Sequence, residues 1–167
     1  MGTSEVDVKG DLFGTIRLVV SDTGGMERFA TLPRYFYGNT TGVLLVYDCT
    51  VPDSLKNIQW WHREALRNVQ TSNPILVVVG NKCDDTTSST RVSKAEGQKM
   101  AEELGCKFYE VSAETGEHLE DAIKEIVTEM YEASDDARRS RSRSRTNRRK
   151  DAQKNRSSSS TNSCVLL

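Results

Sequence analysis

ILVVVGNKCD, residues 75–84, runs an unbroken apolar segment straight into a polar loop. Ile75 to Val79 does not alternate apolar with polar, which is how a strand buried on both faces reads. Asn81-Lys82-Cys83-Asp84 then stands at the carboxyl end of that strand. A carboxylate two residues beyond a lysine can accept two hydrogen bonds from adjacent N–H donors, the pattern on the edge of guanine. Asn81 adds an amide, and the Lys82 stem is long enough to lie along a purine face.

Working outward, three more strand-like runs appear at Thr15–Ser21, Val43–Asp48 and Lys107–Val111. Between them Leu55, Ile58, Trp61, Ala65, Leu66 and Val69 recur at helical spacing, with Asp53 or Ser54 as the N-cap. Ser93 and Glu96 fit a capping box for a helix that stops near Gly105. Leu119, Ala122, Ile123, Ile126, Val127 and Met130 trace one face of a last helix. Glu5 to Lys9 alternates, and residues 10–14 can close it as a hairpin onto Thr15–Ser21. Strand alternating with helix predicts an α/β fold, a mostly parallel sheet with helices on both faces. Ligands in such sheets bind beyond the carboxyl ends of the strands. Those ends carry Asp22-Thr23-Gly24-Gly25, Asn81-Lys82-Cys83-Asp84 and Ser112-Ala113-Glu114.

The net charge of −1 conceals a division. Residues 1–134 hold 13 Lys+Arg against 21 Asp+Glu, a net of −8, and residues 135–167 hold 10 against 3, a net of +7. We therefore read a domain over 1–134 and a basic tail over 135–167 with its own anionic partner. The tail is Arg, Ser, Asn, Lys and Asp with little to bury, so disorder is expected. No apolar stretch reaches the roughly 18 residues of a membrane span, and the start lacks a signal-peptide pattern. The four cysteines have no metal-ligand spacing and read as reduced thiols.

Taken together, DTGG-x-ERF at residues 22–29, RYFYGNTTGVLLVYDCT at 34–50, NKCD at 81–84 and SAE at 112–114 resemble the Ras-like small GTPases. The segment 34–50 with Asn57-Ile58 and Trp60-Trp61 is most similar to the Rab branch. The resemblance implies a P-loop-NTPase-like small G domain, with GTP or GDP and Mg²⁺ as cofactors. It implies that Asp84 pairs with guanine, that Asn81 and Lys82 frame the base, and that the Ala113 N–H meets its exocyclic oxygen, with Ser112 and Glu114 in the same loop. Glu114 departs from the family's lysine. Asp22 would reach Mg²⁺ through a water, the Gly25 N–H would touch the γ-phosphate, and Thr3 falls near the place of a Mg²⁺-binding threonine. Met26 stands where the family has the glutamine that orients the attacking water. A thioether donates no hydrogen bond, so slow or absent hydrolysis is expected. No G-x-x-x-x-G-K-[ST] occurs in the sequence. The first strand, phosphate loop and first helix of the family are thus expected to be missing. The family's first strand lies between those matching Thr15–Ser21 and Val43–Asp48. Either these two pair directly or a gap opens and strands backbone groups.

Cys164-Val165-Leu166-Leu167 has the C-a-a-X form, with a terminal leucine favouring geranylgeranyl. One prenyl chain anchors weakly, and the basic residues Arg138 to Arg156 supply a second attraction to an anionic leaflet. This predicts a prenyltransferase as a partner and a place on the cytosolic face of a membrane, with effectors and regulators of vesicle traffic as the family's other partners. A rival reading is a prenylated, nucleotide-independent protein that occupies family partners without switching. A third is RNA association through the Arg-Ser repeat at 138–145, but no aromatic residue interleaves the tail and base stacking is not available.

Overall fold

The computed structural model describes residues 2–23, 37–38, 40–71, 73–146 and 162–166. Its elements are β1 (Gly2–Gly10), β2 (Gly14–Asp22), β3 (Thr40–Asp48), α1 (Pro52–Asn68), β4 (Ile75–Asn81), α2 (Lys94–Leu104), β5 (Lys107–Glu110), α3 (Leu119–Thr146) and β6 (Asn162–Leu166). They build one six-stranded sheet in the order β1-β2-β6-β3-β4-β5. β1 and β2 form the expected hairpin, antiparallel from Gly2↔Asp22 to Gly10↔Gly14. Gly14, at φ 71°, takes the left-handed turn that a side chain resists. All other pairings are parallel.

The two faces of the sheet explain the unbroken apolar run Ile75–Val79. Val78 packs with Val43, Leu45, Ile58 and Trp61 beneath α1 and α2. Val77 and Val79 point the other way, into a core with Ile126, Val127 and Met130 of α3. Helices therefore cover both faces. α2 opens on the predicted capping box: the Glu96 N–H donates to Ser93 Oγ, and the Ser93 N–H donates to Glu96 Oε2 at 2.8 Å. It closes at Gly105, φ 67°. Gly97 lets α2 sit close, because a Cβ there would lie 2.2 Å from the Tyr47 hydroxyl and 2.7 Å from the Phe108 ring.

Several expectations are corrected. α1 starts after Val51, with no side-chain cap, because Pro52 presets the first helical φ and brings no N–H to satisfy. Asp53 instead pairs with Lys56 on the surface at 2.7 Å. The Ser54 hydroxyl turns back to donate to the Val51 carbonyl at 2.6 Å. Leu66, placed on the apolar face by spacing, is 51% exposed.

The largest correction concerns the space between β2 and β3. These strands neither pair directly nor leave a gap. β6 lies between them, with Leu18↔Asn162 through Asp22↔Leu166 on one side and Thr40↔Ser163 through Leu44↔Leu166 on the other. The register shifts once, between Thr40 and Gly42. The segment beyond residue 134, expected to lack structure, thus carries the end of α3, which runs to Thr146, and the whole of β6. An edge on each side completes a strand whose own sequence gives little sign of one.

Candidate functional site

The parallel strands end side by side, and the residues singled out by sequence collect beyond those ends. β4 delivers Asn81 directly opposite Asp48, the last residue of β3. The Asn81 Oδ1 atom accepts two backbone N–H bonds, from Lys82 at 2.8 Å and from Ala113 at 3.0 Å. One side chain therefore ties the NKCD loop to the SAE loop across 32 positions of sequence. The Ala113 N–H, which the resemblance assigns to a base oxygen, is directed here at Asn81. A ligand would share or displace that bond.

Lys82 has φ 64°, a left-handed conformation that costs a non-glycine residue roughly 1 kcal/mol. Its Nζ lies 2.7 Å from Asp48 Oδ2. Asp48 is fixed in turn, because its Oδ1 accepts from the Thr50 N–H at 2.8 Å and the Thr50 hydroxyl at 2.6 Å. Partial burial pushes the Asp48 carboxyl up, but the bonds from Lys82 and Thr50 outweigh it and hold the group below its ordinary 3.8. The same pair, led by the hydrogen bond to Asp48, raises the Lys82 ammonium above its usual value. The lysine stem is thus held at the strand ends.

Asp84 is exposed, and its carboxylate makes no hydrogen bond or ion pair among the described residues. It stands available to a donor pair from outside. Ser112 is fully buried, and its hydroxyl accepts the Thr115 N–H at 3.0 Å, which shapes the SAE loop. Ala113 and Glu114 are exposed on that loop. Below it an apolar cavity of about 180 Å³ lies between the sheet and α3, lined by Leu44, Val46, Val79 and Ala122 together with Asn81 and Ala113.

Arg91 is the residue that sequence reasoning missed. Its Nη1 donates to the Asp85 carbonyl at 2.7 Å and the Cys83 carbonyl at 2.9 Å, while Nη2 lies 3.8 Å from Glu110 Oε1. The guanidinium thus holds the loop that carries Asp84 against the end of β5. No spacing rule marks an arginine nine positions beyond a lysine. Asp48 had a readable sign, a carboxylate ending a buried strand beside another strand that ends in Asn-Lys.

The second group of predicted residues sits apart from the first. Asp22 ends β2, and Thr3 pairs with Ser21, so the two are diagonal neighbours across the hairpin. β2 is separated from β4 by β6 and β3, three strand spacings or roughly 14 Å. Gly25 and Met26 lie outside the described residues. Among the described residues no cluster of three His, Cys, Asp or Glu side chains could hold a metal ion. Thr3 shares a face of the hairpin with Ser21, and Asp22, one residue on, points to the other face, so the two oxygens do not converge on one Mg²⁺. His118 is exposed, whereas His62 is half-buried and burial pushes its imidazole below the ordinary value. Cys164 is the central residue of β6, opposite Val20 on one side and Gly42 on the other. No helix among the described residues is long and apolar enough to cross a membrane.

Comparison with known proteins adds a family. A model of the Ras family matches residues 2–132. The chain is 38% identical over 118 residues to the Ras-related protein RAB1BV of Beta vulgaris, covering 69% of this chain and 53% of that protein. It is 36% identical over 126 residues to the GTP-binding protein yptV2 of Volvox carteri, covering 75% and 56%. It is 35% identical over 122 residues to the GTP-binding protein ypt2 of Schizosaccharomyces pombe, covering 73% and 60%. The chain spans little more than half the length of the curated relatives it matches.

Proposed function

The chain belongs to the Ras family of small GTPases, in its Rab branch, and from that premise we propose a membrane-associated protein that recognises the guanine base but turns GTP over slowly or not at all. The observation that carries this reading is the Asn81 side chain bridging the Lys82 and Ala113 amides. It fixes both base-facing loops at the carboxyl ends of β4 and β5 before any ligand arrives, with Asp84 left exposed. A preorganised site spends less of its binding energy on ordering itself.

These 167 residues contain no G-x-x-x-x-G-K-[ST] segment, whose backbone N–H groups and lysine cradle phosphates in the family. By the family resemblance Asp22 would reach Mg²⁺ through a water, and the Gly25 N–H would donate to the γ-phosphate. Met26 leaves the attacking water without an orienting amide. When bound, Mg²⁺ would neutralise charge on the phosphate oxygens. This chain's own part is to hold the base through Asp84, with Lys82 and Asn81 fixed beneath it.

Calorimetry with GDP, GTP and guanosine in the presence of Mg²⁺ tests the proposal. Weak binding that hardly changes with phosphate number, and that falls at least tenfold in Asp84→Ala, is the expected result. Tight binding that strengthens with each phosphate would overturn the account of the phosphate side. No binding by any guanine compound would favour the rival reading, a nucleotide-independent protein that occupies effectors or the prenylation machinery.

Membrane association rests on the Cys164–Leu167 motif as the substrate of a prenyltransferase, with the +7 segment 135–167 drawn to an anionic leaflet on the cytosolic side. Flotation of the wild-type and Cys164→Ser chains with anionic vesicles, after prenylation, checks this. Equal partition of the two would remove the anchor from the proposal.

A further inference from the structure

Three of the five residues that fill the centre of the sheet, Cys164, Val165 and Leu166, belong to the C-a-a-X signal. As β6 the five are paired along both edges, Leu18–Asp22 on one side and Thr40–Leu44 on the other. Cys164, Val165 and Leu166 are all inside the ladder, opposite Val20, Ser21 and Asp22 of β2. An enzyme that reads four residues in sequence must surround them, which a strand flanked on both edges does not permit. Chemistry on Cys164 makes the same demand. Its sulfur must attack the first carbon of a polyprenyl diphosphate. The C–S bond forms as the C–O bond to diphosphate breaks, diphosphate leaves, and the thiol proton passes to solvent.

We infer that residues 162–166 have two mutually exclusive places: docked as β6 they complete the sheet and withhold Cys164, and undocked they are the prenyltransferase substrate. The inference rests on reading Cys164–Leu167 as the modification signal. Docking rests on the backbone pairing of five residues with β2 and β3. The ladder also shifts register at Thr40/Gly42, beside the Ser163 and Cys164 positions.

The rate of modification should fall in proportion to the undocked fraction. The test uses the full chain, Ser163→Pro, and peptides of residues 157–167 with and without the same change, with geranylgeranyl diphosphate and a C-a-a-X geranylgeranyltransferase. Proline removes an N–H from a central strand and leaves Cys164–Leu167 intact. Both peptides and the Ser163→Pro chain should be modified at similar rates, and the wild-type chain at least tenfold more slowly. Equal rates for the wild-type and Ser163→Pro chains, with the peptides modified, would overturn the inference and leave the prenylation reading standing. Unmodified peptides would overturn both. Hydrogen exchange reads the docking directly: the Val165 amide should be protected in the wild type and unprotected in Ser163→Pro. Fast exchange in both chains would also overturn the inference.

Discussion

At the scale of single residues, the NKCD and SAE loops are held by a few short polar contacts whose charge can be titrated. Asp48 is the one to vary, since it accepts from Lys82 and twice from Thr50. Its folded carboxyl is held below the ordinary 3.8, so the unfolded chain takes up a proton first as pH falls. Stability from this group is therefore complete above about pH 4 and is lost as pH drops through the lower folded value. Asp48→Asn keeps the shape and an oxygen for Thr50 but removes the charge that faces Lys82. Urea midpoints should be lower for Asp48→Asn than for wild type at pH 7, and the two curves should converge below pH 4. A difference that stays constant to pH 2.5 would mean the carboxylate charge contributes nothing. The places of Asn81, Lys82 and Asp84 at the end of β4, and of Ala113 beyond β5, were readable because each follows a strand-like run. Arg91 was not readable, because its role depends on three carbonyls that the fold brings to it.

Among the elements, α2 shows how local signals and packing agree. Its capping box and its terminal glycine are both visible in sequence, and both are found. What sequence could not show is why Gly97 sits inside the helix, where glycine costs about 1 kcal/mol relative to alanine. The answer is contact with Tyr47 and Phe108, which a Cβ would meet at 2.2 and 2.7 Å. Overpacking a core of this kind typically costs about 1–3 kcal/mol. Gly97→Ala should thus lower stability by up to about 2 kcal/mol net in a urea melt, against the direction that helix propensity predicts. A stabilised variant would show that Tyr47 and Phe108 yield easily. α1 teaches the complementary lesson. Its apolar spacing was readable, but Pro52 moved the start ahead of both candidate caps, and Leu66 fell on the open side.

For the whole molecule, the question is what a centre strand taken from the far end of the sequence contributes. Asn162–Leu166 carries no alternation and follows a run of serines, so local pattern offers no strand to read. It becomes one because two parallel edges meet it, a non-local pairing that propensity does not encode. Fixing five residues costs roughly 1–2 kcal/mol each in backbone entropy, and each ladder bond returns about 1 kcal/mol net. These terms nearly cancel, so β6 is held chiefly by the cost of leaving buried N–H and C=O groups of β2 and β3 unpaired. Such groups cost about 1–3 kcal/mol apiece when water cannot reach them. A chain ending at Thr161 should therefore melt at a temperature lower by several degrees, with faster amide exchange in Leu18–Asp22 and Thr40–Leu44 and little change in Ile75–Asn81. β4 keeps both its partners, β3 and β5, in the shortened chain, so the NKCD and SAE loops should survive with it. Uniform acceleration of exchange across all strands would mean that β6 supports the entire sheet. No acceleration at all would mean that β2 and β3 close on each other once the slot is empty.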